Sequence, residues 1–134
     1  MDKVFQLDVI TPINLKSFQD ISYLRIPGLD GLLGIQAKHA NSIIALNIGE
    51  IKIIGNDGAT SYFATNGGFA DIKFESIQLL LETFESSKDL NKKRAEEALA
   101  RAQKRIHDKN KDLKRVNESL QRAQNRLKII SRLS

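Results

Sequence analysis

The sequence predicts an α+β chain in two unlike parts: an N-terminal antiparallel β-sandwich over residues 1–87 and a C-terminal antiparallel two-helix hairpin over residues 88–134. Three observations carry that expectation. All 8 glycines and both prolines among the 134 residues fall before residue 88. Net charge changes sign at the same place: 6 Lys/Arg stand against 10 Asp/Glu before it and 15 against 6 after it, giving −4 and +9 within a total of +5. The apolar period changes there too, from about two residues to three and four. A domain boundary is therefore expected between residues 85 and 88.

The first half reads as short strands with turn signals between them. Phe5, Leu7 and Val9 alternate with Gln6, Asp8 and Ile10. Ser22-Tyr23-Leu24-Arg25-Ile26 follows and is closed by Pro27-Gly28. Glu50-Ile51-Lys52-Ile53-Ile54 stops at Gly55-Asn56-Asp57-Gly58, where Asp-Gly is a hairpin signal. Ser61-Tyr62-Phe63-Ala64 leads into Asn66-Gly67-Gly68, and segments 70–74 and 77–83 complete the set. Seven or more strands at this spacing imply an antiparallel sandwich or barrel. Gly28, Gly31 and Gly34 repeat every three residues without the dinucleotide fingerprint, so they read as turn glycines.

From Leu90 onward there is neither Gly nor Pro. Leu90, Ala95, Leu99, Ala102 and Ile106 fall near helical spacing, with Ala98 beside them. Leu113, Val116, Leu120, Ala123, Leu127 and Ile130 follow at alternating steps of three and four, a heptad seam. Residues 107–112 contain no apolar side chain and suit a turn, and Asp89 and Asp112 fit as N-caps. The first helix offers mostly Ala to the seam, so the contact is close but buries little area. A hairpin of that kind is expected to be able to open.

The composition excludes several chemistries. Without cysteine there is no disulfide, thiol nucleophile or Cys-based zinc site. The P-loop pattern is missing. The two histidines, His39 and His107, sit in different halves and make a poor start for a metal site. Glu82 and Glu85 read as a solvated strand end rather than an acid/base pair. No segment approaches the ~18 apolar residues of a membrane span. The N-terminus lacks a signal-peptide pattern, so a cytosolic chain is expected, with membrane association through partners. The basic arm is the strongest signal. It contains no aromatic residue, which removes base stacking as a binding mode. Phosphate contact with nucleic acid and contact with an acidic protein surface both stay open.

The ordered landmarks resemble a known family. Gln6-Leu7-Asp8-Val9-Ile10-Thr11-Pro12 resembles the opening strand of the epsilon subunits of bacterial F-type ATP synthases. Pro27-Gly28-Leu29-Asp30-Gly31-Leu32-Leu33-Gly34-Ile35 is similar to their Gly-rich loop. His39-Ala40 falls where the family has His-Ala-Pro, and Gly49 to Ile53 and Asn66-Gly67-Gly68 match later landmarks. Family members often carry Pro on both sides of the His-Ala pair, whereas Lys38 and Asn41 flank it here.

The resemblance implies a non-catalytic central-stalk (rotor) subunit. Its partners would be the gamma subunit, the c-subunit ring and the catalytic beta (with alpha) subunits, at the cytoplasmic face of the bacterial inner membrane. The rotor interface would include Leu29, Asp30, Gly31, Leu32 and His39. The arm, when extended, would inhibit ATP hydrolysis through Arg101, Lys104, Arg105, Lys114, Arg115, Arg122, Arg126 and Lys128. Some members bind ATP on the arm through Ile/Leu-Asp-x-x-Arg-Ala. This chain has Leu90-Asn91-Lys92-Lys93-Arg94-Ala95, with Asn91 in place of Asp, and Glu85 and Arg101 at matching positions. Two readings stand side by side: a weak regulatory ATP site of Glu85, Asn91, Arg94, Ala95 and Arg101, or plain exposed helix residues. No cofactor or metal is required. The competing function is a nucleic-acid-binding module built on a basic helical hairpin, against which the acidic head and the aromatic-free arm both argue.

Overall fold

The structure, a computed structural model, describes residues 4–86, 92–106 and 113–133. Nine strands come first: β1 (Phe5–Thr11), β2 (Asn14–Gly28), β3 (Gly31–Ile35), β4 (Ser42–Leu46), β5 (Gly49–Gly55), β6 (Thr60–Thr65), β7 (Gly68–Ile72), β8 (Ser76–Leu81) and β9 (Glu85–Ser86). Two helices follow, α1 (Lys92–Ile106) and α2 (Leu113–Ile130), and a 3-10 turn (Ser131–Leu133) ends the described chain. Asn91, His107 and the expected caps Asp89 and Asp112 lie outside the described residues.

The strands form one hydrogen-bonded sheet in the order β1-β8-β7-β4-β2-β5-β6-β9, with β3 on β2. β1 also pairs with β2, so the sheet closes on itself and encloses a core. The 15-residue β2 makes this closure, pairing through its first half with β1 and through its second half with β5 and β3. It bends near Asp20, which adopts a positive φ of 56° beside a register shift at Ile21. An irregularity of this kind turns a strand from one layer to the other.

The alternation seen in the sequence is the alternation of the core. Phe5, Leu7 and Val9 point inward, as do Leu24, Ile26, Ile51, Ile53, Ile77, Leu79 and Leu81. The expectation of an all-antiparallel sheet needs one correction, because β1 and β8 pair in parallel, Leu7 opposite Ile77 and Val9 opposite Leu79. Period-two patterning specifies which face a strand buries, not its direction. About 65 residues of intervening chain supply the long connection that a parallel pair needs. A second correction concerns Gly34, which lies within β3 opposite Arg25 rather than in a turn. A Cβ there would meet the Tyr23 hydroxyl at 2.5 Å, so this glycine makes room for an aromatic ring.

The helices pack against each other through Ala95 and Ala102 of α1 and Val116 and Ala123 of α2, all buried. The buried surface of α2 is wider than the expected seam. Ile129, outside the heptad positions, is fully buried, while Leu120, Leu127 and Ile130 are only half-buried. A helix covered on two sides buries a broader stripe than one in a two-helix seam, and α2 lies against β5 and β6 as well as α1.

Candidate functional site

Two surfaces of the head stand out, one on each layer. The first is apolar and uncovered. Residues paired across strands share a face of the sheet, and one such row runs Leu15, Ile10, Leu80, Phe69, Ala45 over β2, β1, β8, β7 and β4. Leu15, Leu80 and Phe69 are exposed at 61%, 44% and 55%. Ile43, two residues along β4, is exposed at 75%, and Ile13 at the β1–β2 turn stands free of the head. The row continues into the β2–β3 hairpin, where the Leu29 amide donates to the Ala45 carbonyl at 3.2 Å.

That hairpin carries most of the residues expected at the rotor interface. Gly28 pairs with Gly31, so Leu29 and Asp30 form a two-residue turn, and Gly31 takes a φ of +128°. Leu29, Asp30, Gly31, Leu32 and Leu33 line one side of a shallow cleft of ≈ 460 Å³, and Ile43, Ile44 and Ala45 line the other. His39 is separate. It sits in the β3–β4 loop, half-buried, its Nδ1 against the Gln36 carbonyl and its ring edge-on to Phe5 at 5.6 Å. It packs the loop onto β1. An apolar face this broad, continuous with an apolar cleft, is characteristic of a surface meant to be covered.

The second surface is polar and already covered. On the outer face of β5, β6 and β9, Glu50, Ala64 and Glu85 lie in one row. Ala64 is outside the head's own core yet buried, because α2 lies over it. Three contacts tie α2 and its terminal turn to this row. Asn125 Nδ2 donates to the Gly49 carbonyl at 2.7 Å, Arg126 Nε donates to Glu85 at 3.0 Å, and Arg132 donates through Nε and Nη2 to both oxygens of Glu50 at 3.0 and 3.3 Å. Glu50 also accepts from Arg25 Nη2 at 2.6 Å. Its hydrogen bond, then its charge, hold the Arg132 guanidinium above its ordinary pKa. The arm is thus folded down on the head.

This placement sorts the arm residues expected to act. Arg101 and Lys104 on α1, and Lys114, Arg115 and Lys128 on α2, are exposed. Arg122 pairs with Glu118 within α2 at 3.5 Å, and Arg126 is committed to Glu85. The side chain of Arg105 lies outside the described residues. Of the proposed nucleotide set, Arg94 and Arg101 are exposed, Ala95 is buried in the helix seam and the Glu85 carboxylate is occupied by Arg126. Glu82 is a strand-end residue whose amide donates to the Gly67 carbonyl. No group of three or more His, Asp or Glu side chains converges among the described residues. Sequence reasoning missed the outward apolar row, and it missed Asn125 and Arg132. The row had a signal: Leu80 inside Leu79-Leu80-Leu81, and Ile10 after Val9, place apolar residues at the outward positions of alternating strands, which marks strands covered on both faces.

Fold and surfaces together define a class: a β-sandwich head with one face built for a partner, carrying a basic helical arm that parks on the opposite layer. Residues 4–87 match the family model described as ATP synthase, Delta/Epsilon chain, beta-sandwich domain, and residues 88–131 match ATP synthase, Delta/Epsilon chain, long alpha-helix domain. The chain belongs to the delta/epsilon chain family of ATP synthases. It is 32% identical over 112 residues to the ATP synthase epsilon chain of Syntrophomonas wolfei, covering 84% of this chain and 82% of that one. To the epsilon chain of Desulforamulus reducens it is 33% identical over 113 residues, covering 84% and 85%. The fold is that of a chain in the cryo-EM structure of Euglena gracilis mitochondrial ATP synthase (OSCP/F1/c-ring), with a TM-score of 0.85 at 14% identity, covering 100% of this chain and 83% of that chain.

Proposed function

We propose that the chain is the epsilon-type subunit of an F-type ATP synthase: a non-catalytic central-stalk protein that docks on the gamma subunit and rests on the c-subunit ring. It would link rotation in the membrane sector to the catalytic head while contributing no catalytic residue. The observation that carries this reading is the apolar row from Leu15 to Ala45, continuous with the β2–β3 hairpin. We assign the hairpin residues Leu29, Asp30, Gly31 and Leu32 to the ring and stalk contact, with His39 supporting the neighbouring loop. No described helix is long and apolar enough to cross a membrane. Association with the cytoplasmic face of the bacterial plasma membrane would then be peripheral, through these partners.

The arm is assigned a regulatory role. When it leaves the head, the exposed Arg101, Lys104, Lys114, Arg115 and Lys128, joined by Arg122, Arg126 and Arg105, would meet an acidic surface of the beta subunits and restrain hydrolysis. Each charge alone contributes little, so the effect is collective and sensitive to salt. ATP is assigned a weak regulatory role on the arm, since Asn91 lacks the negative charge of the family's Asp and Glu85 already holds Arg126. The nucleic-acid reading is not favoured, since both halves match ATP synthase domains.

The test is ATP hydrolysis by a cognate alpha–beta–gamma complex, alone, with the full chain, and with a chain ending at Ser87. The full chain is expected to bind and to slow hydrolysis by about tenfold, some 1.4 kcal/mol in barrier. The shortened chain is expected to bind and leave the rate unchanged. Binding of neither form would remove the assignment, and binding without inhibition by the full chain would remove the arm's role alone.

A further inference from the structure

Glu50 is the only buried carboxylate among the described residues, at 3% exposure. Two guanidiniums converge on it from different parts of the molecule. Arg25 belongs to β2 and stays with the head. Arg132 belongs to the turn that ends the arm, 82 residues further along the chain. Arg132 meets both carboxylate oxygens, and its guanidinium lies 4.9 Å from the centre of the Tyr62 ring. The head therefore presents a built receptor for one planar cation: a buried carboxylate below and an aromatic face beside it. Such a site suits the rigid fork of arginine far better than the point charge of lysine.

We propose that Arg132, Glu50 and Tyr62 form a latch that holds the arm folded on the head without any bound nucleotide. Arg132 Nε donates to Glu50 Oε2, while Arg25 donates to the other oxygen, Oε1. With the arm down but Arg132 replaced, Oε2 would stay buried without its donor, a costly state that favours release. The other two arm contacts are of a different kind. The bond from Asn125 goes to a backbone carbonyl, and the Arg126–Glu85 pair is about one-third exposed on each side, where solvent weakens it. At Glu50 the arginine is 40% exposed but the carboxylate only 3%, so this is the contact in which removing the arginine while the arm is down matters most. The latch lies in the turn that follows α2, so its release frees α2 from its C-terminal end. It is a property of the isolated chain and goes beyond the rotor reading, on which it does not depend.

The chain contains no cysteine, so two introduced ones take probes cleanly. Spin labels on Thr60→Cys in the head and Gln124→Cys on α2, both exposed positions, report the arm position by pulsed dipolar spectroscopy on the full chain without nucleotide. Arg132→Gln is expected to raise the ratio of lifted to folded arm by about fivefold or more. Glu50→Gln is expected to do the same, Arg132→Lys to restore the folded arm only in part, and the double variant Glu50→Gln/Arg132→Gln to open no further than either single one, since both act on one contact. Arg132 lies outside the head, in the turn that follows α2, so circular dichroism of Arg132→Gln should show an intact head. If Glu50→Gln loosens the head itself, Tyr62→Leu replaces it as the second arm of the comparison, with a smaller opening expected. A ratio within twofold of the parent for Arg132→Gln, or full multiplication of the two single effects, overturns the latch.

Discussion

Gly68→Ala is expected to lower the stability of the head by about 3 kcal/mol or more, combining backbone strain with a clash that cannot relax. Gly68 opens β7 and pairs with Leu46 on one side and Leu81 on the other, in the middle of the sheet. Its φ of +149° is one that residues with a Cβ rarely adopt. An added Cβ would stand 2.0 Å from the Leu80 carbonyl oxygen and 2.9 Å from the Leu81 Cα, both backbone atoms of a neighbouring strand. Neither can swing away as a side chain would. The urea midpoint should fall by about 2 M for a domain of this size. Gly58→Ala is the control. Its φ of +88° is also unfavourable, but a Cβ there meets nothing within 4 Å, so the expected cost is about 1 kcal/mol. Equal losses in the two variants would show that the close approach of β7 and β8 is not what demands glycine.

Phe69→Asp is expected to weaken binding to the gamma subunit by about 100-fold or more while leaving the head's stability nearly unchanged. Phe69 lies within the outward row, between Ala45 on β4 and Leu80 on β8. It is 55% exposed, so its ring contributes little to folding and is available to a partner. Aromatic residues at the middle of a covered apolar patch carry a large share of binding energy, and a carboxylate there would be buried without a counter-charge. Titration of the cognate gamma subunit with the variant, alongside thermal unfolding of the head, separates the two effects. Unchanged affinity in a folded Phe69→Asp chain would move the docking surface off this face. A parallel change at Asp57, in the exposed β5–β6 turn, should leave affinity within twofold.

Much of the head was legible because its physics is local. Phe5, Leu7 and Val9, or Ile51 and Ile53, bury alternate positions, and an alternating pattern admits one inward face. Asn56, Asp57 and Gly58 turn β5 into β6 where the dipeptide signal placed a hairpin. The misreadings share a cause. Gly34 looked like a third turn glycine because the demand on it comes from Tyr23, eleven residues away across a strand pair. Ile130 looked like the last seam position because the heptad counts only one neighbouring helix, while Ile129 is buried by a helix covered on two sides.

By itself the sequence determined the division into a β head and an α arm, the sign of charge on each, the inward set of core residues and the absence of cysteine chemistry. Period, charge and composition are properties of adjacent residues, and no tertiary contact is needed to state them. Only the tertiary structure decided that β1 and β8 run parallel, that Leu15, Ile10, Leu80 and Phe69 assemble into one uncovered row, and that the arm lies down with Arg132 on Glu50. Each of these depends on contacts between residues far apart in the chain, up to the 82 positions between Glu50 and Arg132. One arginine among the arm's fifteen basic residues carries no local mark of its partner, because its role is set by the carboxylate that the folded sheet buries beneath it.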